Sequence, residues 1–97
     1  MSKKSAELAL LAKALAHPVR VQIIQILRKR ACVCGDLVDE LPLAQTTVWQ
    51  HLRVLKDAGI VKGEIDGPAV CYCVDPQVLD RLMLLIAELQ PPGENTA

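Results

Sequence analysis

Residues 36–62 read DLVDELPLAQTTVWQHLRVLKDAGIVK, and this stretch decides the fold. Asp36 suits the start of a short helix with Leu37 and Leu41 inward, because its carboxylate can accept from the free N–H groups there. Pro42, Leu43 and Ala44 make a tight turn. From about Gln45 to Ala58 the spacing of Val48, Leu52 and Leu55 predicts a helix with one buried stripe. Gly59 closes it, since glycine tolerates the left-handed conformation that ends many helices. Two short helices joined by so tight a turn form a helix-turn-helix.

The flanking sequence completes a larger unit. Upstream, Ser5 to Ala16 carries Leu8, Leu11, Ala12 and Leu15 at helical spacing, with Ser5 as cap. His17-Pro18 breaks the chain, and Pro18 suits the first position of a second helix. There Val19, Ile23, Ile26 and Leu27 form the inward stripe, while Arg28, Lys29 and Arg30 complement the C-terminal dipole. Ala31 to Gly35 is too short for a helix and reads as extended. Downstream, Ile60 to Ile65 and Ala69 to Val74 read as strands joined by a turn at Asp66, Gly67 and Pro68. A final helix spans Pro76 to Gln90, with Leu79, Leu82, Met83, Ile86 and Leu89 on one broad face. This order predicts a mainly α fold with a small β-hairpin wing, a winged helix-turn-helix, in one domain over residues 1–97. Residues 1–4 and 91–97 are expected to be frayed tails.

Composition sets the context. The 97 residues are 52% hydrophobic, with one Trp, one Tyr and no Phe, so the core must be aliphatic. A chain of this length buries only about 60–65% of its unfolded surface. Surplus apolar surface on so small a unit points to a subunit interface. Eleven basic residues balance eleven acidic ones; any nucleic-acid surface must therefore arise from where the charge lies. No apolar run reaches membrane-spanning length and no signal-peptide pattern opens the chain, which predicts a cytoplasmic protein without a membrane partner. Four cysteines in a reducing compartment suit metal binding or redox sensing better than structural disulfides.

Gln45, Thr46, Thr47, Val48, His51, Leu52, Leu55, Ala58 and Gly59, together with His17, Pro18, Arg20, Ile26 and Leu27, resemble the ArsR/SmtB-type metal-responsive repressors over roughly residues 8–75. The resemblance implies a homodimeric repressor, joined through its first and last helices, that binds double-stranded operator DNA and releases it on binding an effector. In such a protein the N-terminal part of the helix from Gln45 enters the major groove. Gln45, Thr46, Thr47, Trp49, Gln50 and Arg53 are the candidates for reaching base edges or adjacent backbone. Gln can pair with adenine, Arg with guanine, and Thr offers a methyl or hydroxyl. Lys56, Lys62 and Arg20 are candidate phosphate partners, which contribute affinity and salt dependence. Two positions depart from the family pattern: Ala44 replaces a capping Ser, and Trp49 stands where a small Ser is usual. His51 is expected to be structural.

Cys32-Val33-Cys34 and Cys71-Tyr72-Cys73 are two C-x-C pairs. On a strand, residues two apart share a face. If the strand before the helix-turn-helix pairs with the return strand of the wing, as is common in this fold, the pairs become cross-strand neighbours about 4.5–5.5 Å apart at Cβ. Cys32, Cys34, Cys71 and Cys73 are then candidate thiolate ligands for one thiophilic ion: trivalent arsenic first, cadmium or zinc otherwise. The family's usual helix site has Cys-Val-Cys followed directly by Asp; here Gly35 intervenes, which shifts the cysteines onto the strand. The family's last-helix site needs histidines that the final helix lacks. No obligatory cofactor is expected. The alternatives are a thiol redox or persulfide sensor, and a DNA-binding protein with a purely structural zinc. An enzyme is not expected, because no base lies near the cysteines in sequence.

Overall fold

Of the four described helices, all but the one that starts at Gln45 begin with a cap or a proline legible in the adjacent sequence. The computed structural model describes residues 2–30, 32–34, 41–64 and 71–92, and the side chains of Arg30, Val33, Cys34 and Glu64 fall outside that description. Helix α1 spans Lys3–Leu15, and the Ser2 hydroxyl accepts from the Ser5 N–H at 3.1 Å. The cap is thus Ser2, not Ser5, and Lys3 and Lys4 are helical rather than frayed, as suits two residues of good helix propensity. Helix α2 spans Pro18–Arg30. His17 Nδ1 accepts from the Val19 N–H at 3.1 Å, and the His17 carbonyl accepts from Arg20 and Val21. Proline at the first position loses no hydrogen bond, because that N–H has no helical partner.

Strand β1 is Cys32–Cys34 and helix α3 is Gln45–Asp57. Ala44 occupies the N-cap of α3 with extended backbone and no side-chain hydrogen bond. At the other end Gly59 has φ +86°. Its N–H donates to the Lys56 carbonyl at 2.9 Å, and the Ile60 N–H donates to the Leu55 carbonyl at 3.0 Å. This paired closure satisfies two carbonyls that the helix itself leaves free. Strands β2, Val61–Glu64, and β3, Cys71–Val74, follow. Helix α4, Pro76–Ala87, is capped by the Asp75 carboxylate, which accepts from the Gln77 N–H at 3.0 Å. It ends short of Gln90: Leu89 and Gln90 donate to carbonyls three residues back. Pro91 disfavours helical backbone at the residue before it. The short helix expected from Asp36 and the turn at Asp66, Gly67 and Pro68 lie outside the described residues.

The three strands form one antiparallel sheet in the order β1-β3-β2. The core joins this sheet to the helices: Ile23, Leu27, Val48, Leu52, Leu55 and Ile60 are fully buried, and Val61 and Tyr72 nearly so. Truncating such a leucine to alanine costs roughly 2–5 kcal/mol. In α1 the buried residues are Leu11 and Ala14, while Ala12, expected inward, is exposed. In α4 Leu82 and Leu85 are buried, whereas Met83, Ile86 and Leu89, expected on the same face, are 68%, 50% and 70% exposed. The broad apolar face of α4 is wider than α1 can cover. Arg81 donates two 2.9 Å hydrogen bonds to the Glu7 carboxylate, which holds α4 to α1. Among the described residues no single helix is long and apolar enough to cross a membrane.

Candidate functional site

Helix α3 presents two unlike faces. Val48, Leu52 and Leu55 enter the core, so the 3.6-residue period turns Gln45, Thr46, Trp49, Gln50, Arg53 and Lys56 outward. Thr47 is half-buried at the edge, and Trp49 is 36% exposed. The helix carries Arg53 and Lys56 and no acid before Asp57 at its C-terminal end. Its outer surface is therefore polar and cationic although the chain as a whole is neutral. Lys62 lies exposed on β2, which follows α3 directly.

Arg20 is placed differently from the other candidate phosphate partners. Its Nε–H donates to His51 Nδ1 at 3.2 Å, and its Nη1 donates to the carbonyls of Lys13 and Ala14, each at 3.3 Å. Arg20 thus ties α2 to the end of α1 and to the middle of α3. The His17 and His51 rings lie 4.3 Å apart, centroid to centroid, at a tilt of 48°. Burial, and after it the charges of His17 and Arg20, holds the His51 imidazole below the usual histidine range. A neutral ring is also what the hydrogen bond requires, since Nδ1 must offer a lone pair to Arg20. Sequence alone leads one to expect a structural His51; its partnership with Arg20, 31 residues away, emerges only when three helices meet.

The cysteines lie on the edge strand β1 and on the central strand β3. The β1–β3 register pairs Cys32 with Cys73, Val33 with Tyr72, and Cys34 with Cys71. Tyr72 points into the core at 2% exposure, so Cys71 and Cys73 share the opposite face of β3. Cys32 and Cys73 are joined by a disulfide, with Cα atoms 4.2 Å apart, and Cys71 is disulfide-bonded as well. Cys32 is exposed and Cys73 half-buried. In this oxidised form no three His, Cys, Asp or Glu side chains converge as metal ligands among the described residues. On the other edge of β3, Lys62 is the register partner of Cys73, and Gly63 that of Tyr72.

One element of this region was not singled out by sequence as part of a site. A cavity of about 460 Å³ is lined by Cys32 and Cys73, by Arg28 of α2 and Lys62 of β2, and by Val74, Pro76 and Leu79. Arg28 reads in the sequence as a complement to the helix dipole. Its position four residues before Cys32 is the only local hint that it belongs beside the thiols.

Comparison with known proteins agrees with this arrangement. The family pattern described as "Bacterial regulatory protein, arsR family" matches residues 17–62. The chain is 42% identical over 74 residues to the HTH-type transcriptional repressor SmtB of Mycobacterium tuberculosis, covering 76% of this chain and 55% of the relative. It therefore spans little more than half that protein's length. A biofilm growth-associated repressor of Agrobacterium fabrum is 34% identical, over 98% of this chain and 82% of its own. Among solved structures, a possible transcriptional regulator for arsenical resistance superposes with a TM-score of 0.67 at 31% identity, covering 82% of each chain. With helix α3, the antiparallel pair of β2 and β3 and these relatives together, the chain belongs to the arsR family of bacterial regulatory proteins.

Proposed function

We propose that residues 1–97 act as one domain of a homodimeric, sequence-specific DNA-binding repressor, controlled at the cysteines that join β1 to β3. The effector is a thiophilic metal or metalloid ion, trivalent arsenic first among them, with Cd or Zn as the other candidates. The observation that carries this reading is the register that sets Cys32 opposite Cys73 and Cys34 opposite Cys71. Soft thiolates in two such pairs fit a soft ion and discriminate against hard ones. Such an ion supplies strong sulfur bonds that hold the two strands together. The relative named for arsenical resistance supports the choice of first candidate.

The chain's own residues provide the rest. Gln45, Thr46, Thr47, Trp49, Gln50 and Arg53 face the bases and their flanking backbone, and Lys56 and Lys62 meet phosphates. Arg20 acts mainly by setting the angle of α3 through His51, with its phosphate role secondary. β1 leads into the segment before α3, and β3 is hydrogen-bonded to β2 and so to Lys62. Drawing β1 onto β3 therefore shifts α3 and the wing relative to the rest of the dimer. A ligand moves this equilibrium only by its differential affinity, typically about 1–3 kcal/mol. Leu10, Met83, Leu84, Ile86 and Leu89, half or more exposed on α1 and α4, form the proposed subunit interface. The cytoplasm suits a DNA partner and reduced thiols.

A second reading is favoured by the disulfide itself. Oxidation of Cys32 and Cys73 links the same strands covalently and consumes the thiolates that an ion needs. Operator-fragment binding by the reduced protein, titrated separately with arsenite, Cd, Zn and a disulfide oxidant, separates the two. Release by an ion alone supports the first reading, and release by the oxidant alone the second. Unchanged DNA affinity with every additive overturns both.

A further inference from the structure

We infer that the cavity beside Cys32 and Cys73 is a recognition site for a carboxylate-bearing, low-molecular-weight organic disulfide that exchanges with this cysteine pair. The inference rests on the oxidation reading above and names its co-reactant. Four observations meet here. Cys32 and Cys73 both belong to the cavity wall, so a small molecule inside lies beside this pair. The volume of about 460 Å³ falls within the roughly 300–1,000 Å³ of small-molecule sites. Arg28 and Lys62 line it from two different elements, and among the described residues no acid lines it and neither cation has a carboxylate partner. Val74, Pro76 and Leu79 give the lining an apolar side that accommodates the methylenes of such a compound. Two cations with no described carboxylate partner, beside apolar side chains, select an anion with a hydrophobic body and disfavour a cationic one.

The exchange begins from the reduced pair. Cys32, the more exposed of the two, attacks one sulfur of the small disulfide as a thiolate. That S–S bond breaks and its electron pair leaves on the first small thiolate. Cys73 then attacks the Cys32 sulfur of the mixed disulfide and expels the second small thiolate, which closes the Cys32–Cys73 bond. The two cysteines lose two electrons and the small disulfide gains them. The two cysteine protons end on the released thiols.

The test uses the full reduced chain and three probes: oxidised glutathione, a net dianion; 2-hydroxyethyl disulfide, uncharged; and cystamine, a dication. The rate of Cys32–Cys73 formation is followed by quenching and peptide mass spectrometry. Focusing by paired charges raises encounter rates by about 10–10³ at low salt. The glutathione rate relative to the uncharged probe should therefore fall at least about tenfold from wild type to the Arg28→Gln/Lys62→Gln double variant. Cystamine should show the opposite change, and the uncharged probe little. Each single variant, with its fold checked by circular dichroism, should lose part of the preference. A charge preference that is absent, or that survives the double substitution, overturns the inference. DNA binding measured on the same oxidised samples is separate: unchanged affinity would sink the oxidation reading while leaving the recognition site intact.

Discussion

His51 holds its place in α3 by accepting from Arg20, and the proton that would charge it must compete for the same lone pair. Its folded pKa lies below the ordinary 6.5 while the unfolded chain keeps that value. As pH falls through the unfolded value, the unfolded state takes up a proton that the folded state refuses, so stability present at neutral pH is lost. The thermal midpoint should drop between about pH 7.5 and about pH 5.5, and His51→Gln should flatten that drop. Glu7 is held below its usual carboxylate range mainly by the hydrogen bonds from Arg81, so its own contribution fades only in more acid solution. An equally steep drop in the variant would assign the effect elsewhere. Gly63 makes a different demand. With φ +131°, its absent Cβ would meet the Cys71 carbonyl oxygen and lie 2.9 Å from the Tyr72 Cα, backbone atoms that have little room to yield. Gly63→Ala should lower stability by at least about 1–3 kcal/mol, read from urea unfolding. The glycine is plain in the sequence, but the strand that crowds it lies eight or more residues away.

Helix α3 shows how element boundaries come from local chemistry. Its apolar period and its closing glycine are both visible in residues 45–59, and the buried set Val48, Leu52 and Leu55 follows from spacing alone. The weak point is equally local. Ala44 has the extended backbone of an N-cap but no side-chain oxygen to meet the free N–H groups. Ala44→Ser should stabilise the fold by roughly 0.5–2 kcal/mol, seen as a higher melting temperature. No gain would mean that another group already satisfies those N–H groups. Helix α4 was less legible. Leu79, Leu82, Met83, Ile86 and Leu89 share an apolar stripe, yet spacing does not say which part meets the chain's own core. The side nearest α1 takes Leu82 and Leu85, and the remainder stays open.

Taken as a whole, the molecule leaves much of its α4 apolar surface in water. Met83, Leu84, Ile86 and Leu89, with Leu10 of α1, are too many large aliphatic side chains to expose together on a small stable monomer. The wild-type chain should sediment as a dimer, and Met83→Glu/Ile86→Glu as a monomer with circular dichroism close to wild type. Loss of the dimer should also weaken operator binding, because two half-sites then engage independently. A wild-type chain that sediments as a monomer would remove this interface from the proposal.

Sequence by itself determined the order of the described elements, the aliphatic core and the family, because those depend on period, caps and turns within a few residues. It also placed the cysteines on strands, since C-x-C alternation and the extra Gly35 are local facts. Only the tertiary structure decided which cysteine faces which, because register is a relation between β1 and β3 across some forty residues of chain. The same holds for Arg20 on His51, the apolar face left open on α4, and Arg28 and Lys62 lining one cavity with Cys32 and Cys73. Each depends on elements distant in the chain meeting at one point, and no local pattern carries that distance.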